Sequence, residues 1–195
     1  MARRELKDMT LEELWQLFPI ELAEHSPEWE AWFADEALRL RRVLAEWNPE
    51  VSHVGSTAIS GIMAKPIVDL LVEVGPDCAL AGVSAAIEGT GYTLMSASEC
   101  RMSFNKGYTP EGYARRVFHL HLRRRGDNDE IAFRDYLRTH GEAAREYEAL
   151  KLSLLPRFRN DRDGYTAAKT DFVGRIMALT RRANQRGSQT AHGNE

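Results

Sequence analysis

Residues 54–74 read VGSTAISGIMAKPIVDLLVEV. The stretch passes from a glycine-serine turn into an apolar run carrying one carboxylate, Asp69, near its start. Residues 66–74 form a nearly continuous apolar segment, which reads as a strand covered on both faces. An unpaired carboxylate is expensive to bury, so Asp69 requires a partner. A metal ion is one candidate, and Lys65 or a nearby arginine is another. A catalytic Mg²⁺ site needs one or two carboxylates plus phosphate oxygens of a substrate. Glu73 falls on the same strand face as Asp69, but at ~3.3 Å per residue it lies about 13 Å away, too far to share an ion.

The turn itself can hold an anion. Gly55 lets the backbone approach closely, and the Ser56 and Thr57 hydroxyls add donors. A helix starting at Ser56 would add free N–H groups. The same three residues also describe a capped strand-to-helix turn with no ligand, because a lone Gly-Ser-Thr is a weak signal.

Outward from this stretch, the chain reads as helix, then strands with one helix, then helices. Thr10 and Glu13 form a capping-box pattern at the start of TLEELWQLF, which Pro19 ends. ELAEHS reads as extended. Ser26 caps a longer helix over residues 27–47, with Pro27 at its first position and Trp29, Trp32, Phe33, Leu40 and Leu44 at helical spacing. Asn48-Pro49 breaks it. VSHVGS precedes the apolar strand, and residues 77–89 have helical composition with Gly89 and Gly91 as stops. YTLMSA and RMSFNKG read as strands. Residues 115–125, RRVFHLHLRRR, alternate: Phe118, Leu120 and Leu122 face one way, His119, His121 and Arg123 the other.

GDND opens a helical second half: IAFRDYLRTH, then GEAAREYEALKLSLL ended by Pro156, then GYTAAKTDFVGRIMALTRR as one last helix. Residues 183–195 lack apolar content and read as a disordered tail. The expectation is a single α+β domain over residues 1–182, a small mixed sheet (core about 50–125) flanked by helices, with a helical part over about 127–182.

Bulk properties narrow the function classes. The 195 residues are 43% apolar and 28% charged, ordinary for a globular domain. At this length roughly 70% of the unfolded surface can be buried. A net charge of −3 gives no global field for nucleic acid or membrane, so any anion site is local. No aromatic-basic platform is visible, and Arg123-Arg124-Arg125 is too short to argue for nucleic acid. Cys78 and Cys100 form no CxxC pair, so a reduced, cytoplasmic setting is expected. The first 20 residues carry no apolar h-region, and no 18-residue apolar stretch suggests a membrane span.

Candidate ligands and cations follow. His119 and His121 project from one strand face, and His53 precedes the glycine turn; with Asp69 they form a set suited to Zn²⁺, Mn²⁺ or Fe²⁺ if the strands are neighbours. Histidines satisfied by hydrogen bonds in the core are the competing reading. Lys65 lies between the turn and Asp69, Arg101 and Lys106 bracket a strand, and Arg134, Arg138, Lys151 and Lys169 lie on the later helices. Most such residues are simply solvated faces, with stems covering apolar surface.

HVGSTAISGIMAKPIVDLLVEV, FHLHL, FRDYLR, EYEALK and YTAAK, in this order, resemble the GrpB family, also called UPF0157, over residues 20–180. The resemblance implies the nucleotidyltransferase fold of the DNA polymerase beta superfamily. A related domain is fused to dephospho-CoA kinase in some bacteria, which implies a CoA-biosynthesis enzyme as a partner. The family's own reaction is poorly defined. The superfamily pattern is a Gly-Ser turn, then Asp-x-Asp or Asp-x-Glu on a strand, then a third carboxylate on a later strand. Gly55-Ser56 and Asp69 match the turn and the first carboxylate. Leu71 stands where the second would be, and FHLHL carries histidines instead of the third. That departure puts two-metal phosphoryl chemistry in doubt.

Two classes of function follow, with a third behind them. In the enzyme reading, a nucleoside triphosphate places its phosphates at Gly55, Ser56 and Thr57. Asp69, with His119 or His121, holds a divalent ion, Mg²⁺ or Mn²⁺ ahead of Zn²⁺. Lys65, Arg101, Lys151 or Lys169 neutralises developing charge as the nucleotidyl group passes to an unknown acceptor. In the binding reading, the chain keeps an anion pocket for a nucleotide or CoA-type ligand without catalysis. The third is metal-dependent hydrolysis through His53, His119 and His121.

Overall fold

The computed structural model describes residues 5–191, with side-chain surroundings for residues 5–183. Helix α1 (Leu11–Leu17) opens with the expected capping box: Glu13 N–H donates to the Thr10 hydroxyl, and Thr10 N–H to the Glu13 carboxylate. The segment after it runs extended and pairs at Ala23 with Ala64. Helix α2 (Glu28–Val43) follows Pro27, with the Ser26 hydroxyl accepting from Glu28 N–H. A short 3-10 turn, Ala45–Trp47, replaces the expected last α-helical turn, and Asn48 then turns the chain at φ +44°.

Five strands form one sheet: β1 (Glu50–Val54), β2 (Val68–Val74), β3 (Thr93–Ala97), β4 (Arg101–Thr109) and β5 (Gly112–Arg124), in the order β1-β2-β5-β4-β3. β2 and β5 are parallel and the other pairs antiparallel, so the sheet is mixed, as expected. Helix α3 (Leu80–Glu88) joins β2 to β3. Alternation decides the faces. Leu70, Val72, Phe118, Leu120 and Leu122 point to one side and make the main core with Trp29, Trp32 and Leu40 of α2 and Val83 and Ile87 of α3. Asp69, Leu71, His119 and His121 therefore point to the other side.

The helical half covers that second face: α4 (Asp129–Thr139), α5 (Gly141–Phe158), α6 (Arg162–Ala167) and α7 (Thr170–Ala191). A second core joins Ile59 and Ile62 to Leu137, Tyr147, Phe172 and Ile176. Three boundaries differ from the sequence reading. Pro156 does not stop α5, which continues to Phe158; a proline in the last turn removes one hydrogen bond where few remain to be lost. The segment read as one last helix is two, because Asp161 caps a separate short helix by accepting from Gly164 N–H, and the chain breaks at Ala168-Lys169. Finally, α7 extends to Ala191, past residue 183 where the tail was expected to start; residues 192–195 lie outside the described ones.

Candidate functional site

The site begins at Gly55, which leaves β1 at φ +70°. A β-carbon there would overlap the Asp69 carboxylate, so the glycine serves both the turn and the close approach of Asp69. Register explains the approach: Val54 pairs with Asp69 across β1 and β2. The parallel pairing of β2 with β5 sets His119 beside Asp69 and His121 beside Leu71. His119 Nδ1 lies 3.3 Å and His121 Nε2 3.7 Å from Asp69 Oδ1. Burial alone would raise the Asp69 pKa, but hydrogen bonds from His119 and His121 outweigh it and hold the carboxyl far below the usual range.

A relay fixes the state of His119. Arg162 can only donate, and its Nη2 donates to the Tyr108 hydroxyl at 2.7 Å. The same hydroxyl meets His119 Nε2 at 2.8 Å. Because the Asp69 carboxylate can only accept, the proton of a neutral His119 sits on Nδ1, facing Asp69, and Nε2 accepts from Tyr108. Burial lowers the His119 pKa despite the opposing pull of Asp69, so a neutral imidazole supports an ionised carboxylate. Tyr108 reaches the relay because of a bulge. The β4–β5 register shifts between Lys106 and Tyr108, where Gly107 sits at φ +91°. Lys106 meets Glu36 of α2 on one face of the sheet, while Tyr108 meets His119 on the other.

The helical half closes this floor into a pocket of about 160 Å³. Ser56, Asp69 and His119 line it from the sheet side and Lys65 and Ile67 from the segment before β2. Tyr147 and Lys151 enter from α5, Tyr165 from α6, and Lys169 from the break before α7. Tyr147 hydrogen-bonds Ser56, and burial pushes its phenol up to about 12. Lys151 donates to the Met63 carbonyl while Glu148 accepts from the Met63 N–H, so α5 holds both backbone polar groups of one loop residue. The Lys65 and Lys169 ammoniums lie 5.8 and 4.5 Å from the centroid of the Tyr165 ring.

Three lysines thus face one carboxylate. Burial, with Lys169 and Arg162 nearby, brings Lys65 down to about 7. Burial and Lys169 bring Lys151 down to about 8, and burial lowers Lys169. Their charges are under-compensated, which is the electrostatic condition for taking up an anion.

Of the residues singled out from sequence, Gly55, Ser56, Lys65, Asp69, His119, Lys151 and Lys169 meet at this pocket, with His121 beside Asp69. His53 does not. Its partner in the sheet is Leu70, so it points to the α2 face, stacked on Phe33 at 4.7 Å and bonded through Nε2 to Thr57 Oγ1 at 3.0 Å. Burial lowers it to about 4, so it is a neutral core histidine. Thr57 is 2% exposed; its hydroxyl ties His53 and the Ile67 carbonyl and does not line the pocket. Arg101 is paired with Arg123, four residues along β5 from His119, and its Nε donates to Asp127 at 2.8 Å on the exposed surface. Glu73 is buried, accepting from Gly126 N–H and Asn128 Nδ2.

The donors present do not fit a resident divalent ion. Among the described residues Asp69 is the sole carboxylate lining the pocket, both nitrogens of His119 are engaged, and the opposite wall is cationic. Among the described residues no group of three or more His, Cys, Asp or Glu gathers to hold a metal. Tyr108, Tyr147, Arg162 and Tyr165 were not singled out from sequence. Tyr147-x-x-x-Lys151 and Tyr165-x-x-x-Lys169 repeat one spacing on two helical segments, a signal that could have found both tyrosines.

Comparison with known proteins places the chain. A protein-family model described as GrpB protein matches residues 19–179. The chain belongs to the GrpB family. It is 38% identical over 161 residues to a UPF0157 protein of Pseudomonas aeruginosa, covering 81% of this chain and 66% of that one. It is 33% identical over 165 residues to the glutamate-rich protein GrpB of Alkalihalophilus pseudofirmus, covering 80% and 92%. The chain spans about half the length, 48%, of a UPF0157 protein from Bacillus subtilis. The crystal structure of GrpB from Enterococcus faecalis superposes with a TM-score of 0.72 at 28% identity, covering 85% of this chain and 99% of that one. No helix among the described residues is long and apolar enough to cross a membrane.

Proposed function

We propose that this GrpB protein binds a small phosphorylated ligand of the nucleotide class, with its phosphates in the Lys65–Lys151–Lys169 pocket. The observation that carries this reading is the convergence of three buried or half-buried ammoniums on a cavity with a single carboxylate. Phosphate oxygens would restore to the lysines the full charge that burial opposes. Ser56 beside the glycine turn supplies a hydroxyl donor. The recognition needs no metal from the protein, so Mg²⁺ and Mn²⁺ are variables of the test and not premises of it.

Calorimetry with tripolyphosphate, nucleoside triphosphates and coenzyme A, with and without Mg²⁺ or Mn²⁺, tests the proposal. Binding in the micromolar to low-millimolar range that weakens at least tenfold in Lys169→Met supports it. Absence of binding for every probe, or binding indifferent to Lys169→Met and Lys65→Met, ends it.

A second reading is nucleotidyl transfer to an acceptor. It is favoured by the ionised Asp69 on the pocket floor beside a histidine of fixed tautomer. A carboxylate so placed can orient an acceptor hydroxyl by accepting its hydrogen bond, as that hydroxyl displaces pyrophosphate from the α-phosphorus and gives its proton to solvent, and the lysines can neutralise the charge that develops on phosphate. Incubation with labelled nucleotides and a metabolite panel separates the two. Turnover abolished in Asp69→Ala establishes transfer, and retained binding without turnover leaves the ligand-binding reading.

A further inference from the structure

A second cavity of about 160 Å³ adjoins the lysine pocket, and Lys65 and Ile67 line both. Its character is different. Pro19, Pro66, Ile67 and Val117 make an apolar wall, and the Tyr113 ring closes one side. Tyr113 is held in place by an edge contact with Tyr108 at 5.3 Å and a tilted contact with Phe18 at 5.1 Å. Apart from the shared Lys65, the charged lining groups are Glu21 and Arg115, whose side chains are 63% and 81% exposed and stand at the mouth. Cavities of roughly 150 Å³ with apolar walls are large enough to take a benzene ring.

We propose that this second lobe receives the ring-bearing organic half of the ligand whose phosphates occupy the lysine pocket. The inference rests on the phosphate reading above. Charge and shape divide the work: the lysine lobe offers donors and cations for phosphate, and the adjoining lobe offers apolar surface and an aromatic edge but few inward donors. A ligand bound across Lys65 and Ile67 therefore carries an anionic end and a flat apolar end, as a nucleoside phosphate does. The phosphate lobe supplies affinity for any polyphosphate, and the ring lobe supplies the selection among them.

The test compares tripolyphosphate with the four common ribonucleoside triphosphates on the wild-type protein, on Glu21→Trp, whose indole would fill the lobe from its mouth, and on Tyr113→Ala, which removes the aromatic side. Circular dichroism and thermal unfolding check that each variant folds. At least one nucleotide is expected to bind ten or more times tighter than tripolyphosphate. In both variants this advantage should shrink to within twofold, with tripolyphosphate affinity itself unchanged. Equal affinity for tripolyphosphate and all four nucleotides in the wild type would overturn the inference while leaving the lysine pocket intact. So would an advantage that survives in a folded variant. If neither tripolyphosphate nor any nucleotide binds, the phosphate reading fails and takes the second lobe with it.

Discussion

At the scale of single residues, Gly55 and Tyr108 hold the site together by opposite means. Gly55 works through what it lacks: its φ of +70° and the Asp69 carboxylate pressed against it leave no room for a side chain. Gly55→Ala should cost about 1–3 kcal/mol from backbone strain alone, with displacement of Asp69 added to that. Urea unfolding measures the loss. Tyr108 works through its hydroxyl, which accepts from Arg162 and holds Nε2 of His119. In Tyr108→Phe the stability change should be modest, about 1 kcal/mol. The imidazole ¹⁵N shifts of His119 should report loss of the single tautomer, and unchanged shifts would show that Tyr108 does not set it.

At the scale of elements, a buried carboxylate fixes the entry to the helical half in a place where the sequence shows only a charge. Glu73 closes the turn from β5 into α4 by accepting from Gly126 and Asn128, and it is 2% exposed. Glu73→Ala leaves those donors unpaired and should cost about 1–3 kcal/mol by chemical denaturation. Glu50→Ala, which removes an ion pair to Arg125 between side chains 62% and 41% exposed, should change stability by less than about 1 kcal/mol. Helix α4 is tied to the glycine turn in the same spirit, with Arg134 donating to the His53 carbonyl and Arg138 to the Ala58 carbonyl. These two arginines read in the sequence as solvated cations; they are fasteners between the helical half and the sheet. The register of β4 shows where strand reading falls short. Alternation was legible in FHLHL because its period is unbroken, but the shift at Gly107, which moves Tyr108 to the pocket face, interrupts the period it would have to be read from.

At the scale of the whole molecule, the pocket couples ligand binding to protons. Lys65 near 7 and Lys151 near 8 lie below the 10.5 of an unfolded lysine. Between those values the unfolded chain binds more protons than the folded one, so these two groups make the free protein more stable as pH rises from about 7 toward 10.5. Below about 7 both states are protonated and the cost of housing the charges is complete. An anion reverses this by favouring the charged lysines. Binding of ATP, whose phosphates stay ionised across the range, should weaken by at least tenfold from pH 7.5 to 9.5. It should also take up protons, seen as different heats in buffers of different ionisation enthalpy. A pH-independent affinity would mean that these lysines do not meet the phosphates.

The sequence by itself determined most of the elements and singled out several residues that the structure brings to one pocket. The apolar run after Lys65, the alternation at residues 117–122 and the capping box at Thr10 are local patterns, and local geometry is enough to read them. Gly55, Ser56 and Asp69 belonged together on the resemblance to the GrpB family, and Lys151 and Lys169 were in view as cations. Only the tertiary structure decided which candidates meet. His53 and Asp69 are opposed because pairing Val54 with Asp69 sends their neighbours His53 and Leu70 through the sheet to the other face. Arg101 is remote because antiparallel pairing carries it to the far end of β5. Two lysines from separate helical segments reach one carboxylate because those segments fold back over the sheet. Strand register and helix docking are settled by contacts between distant parts of the chain, and no single stretch of sequence holds both sides of such a contact.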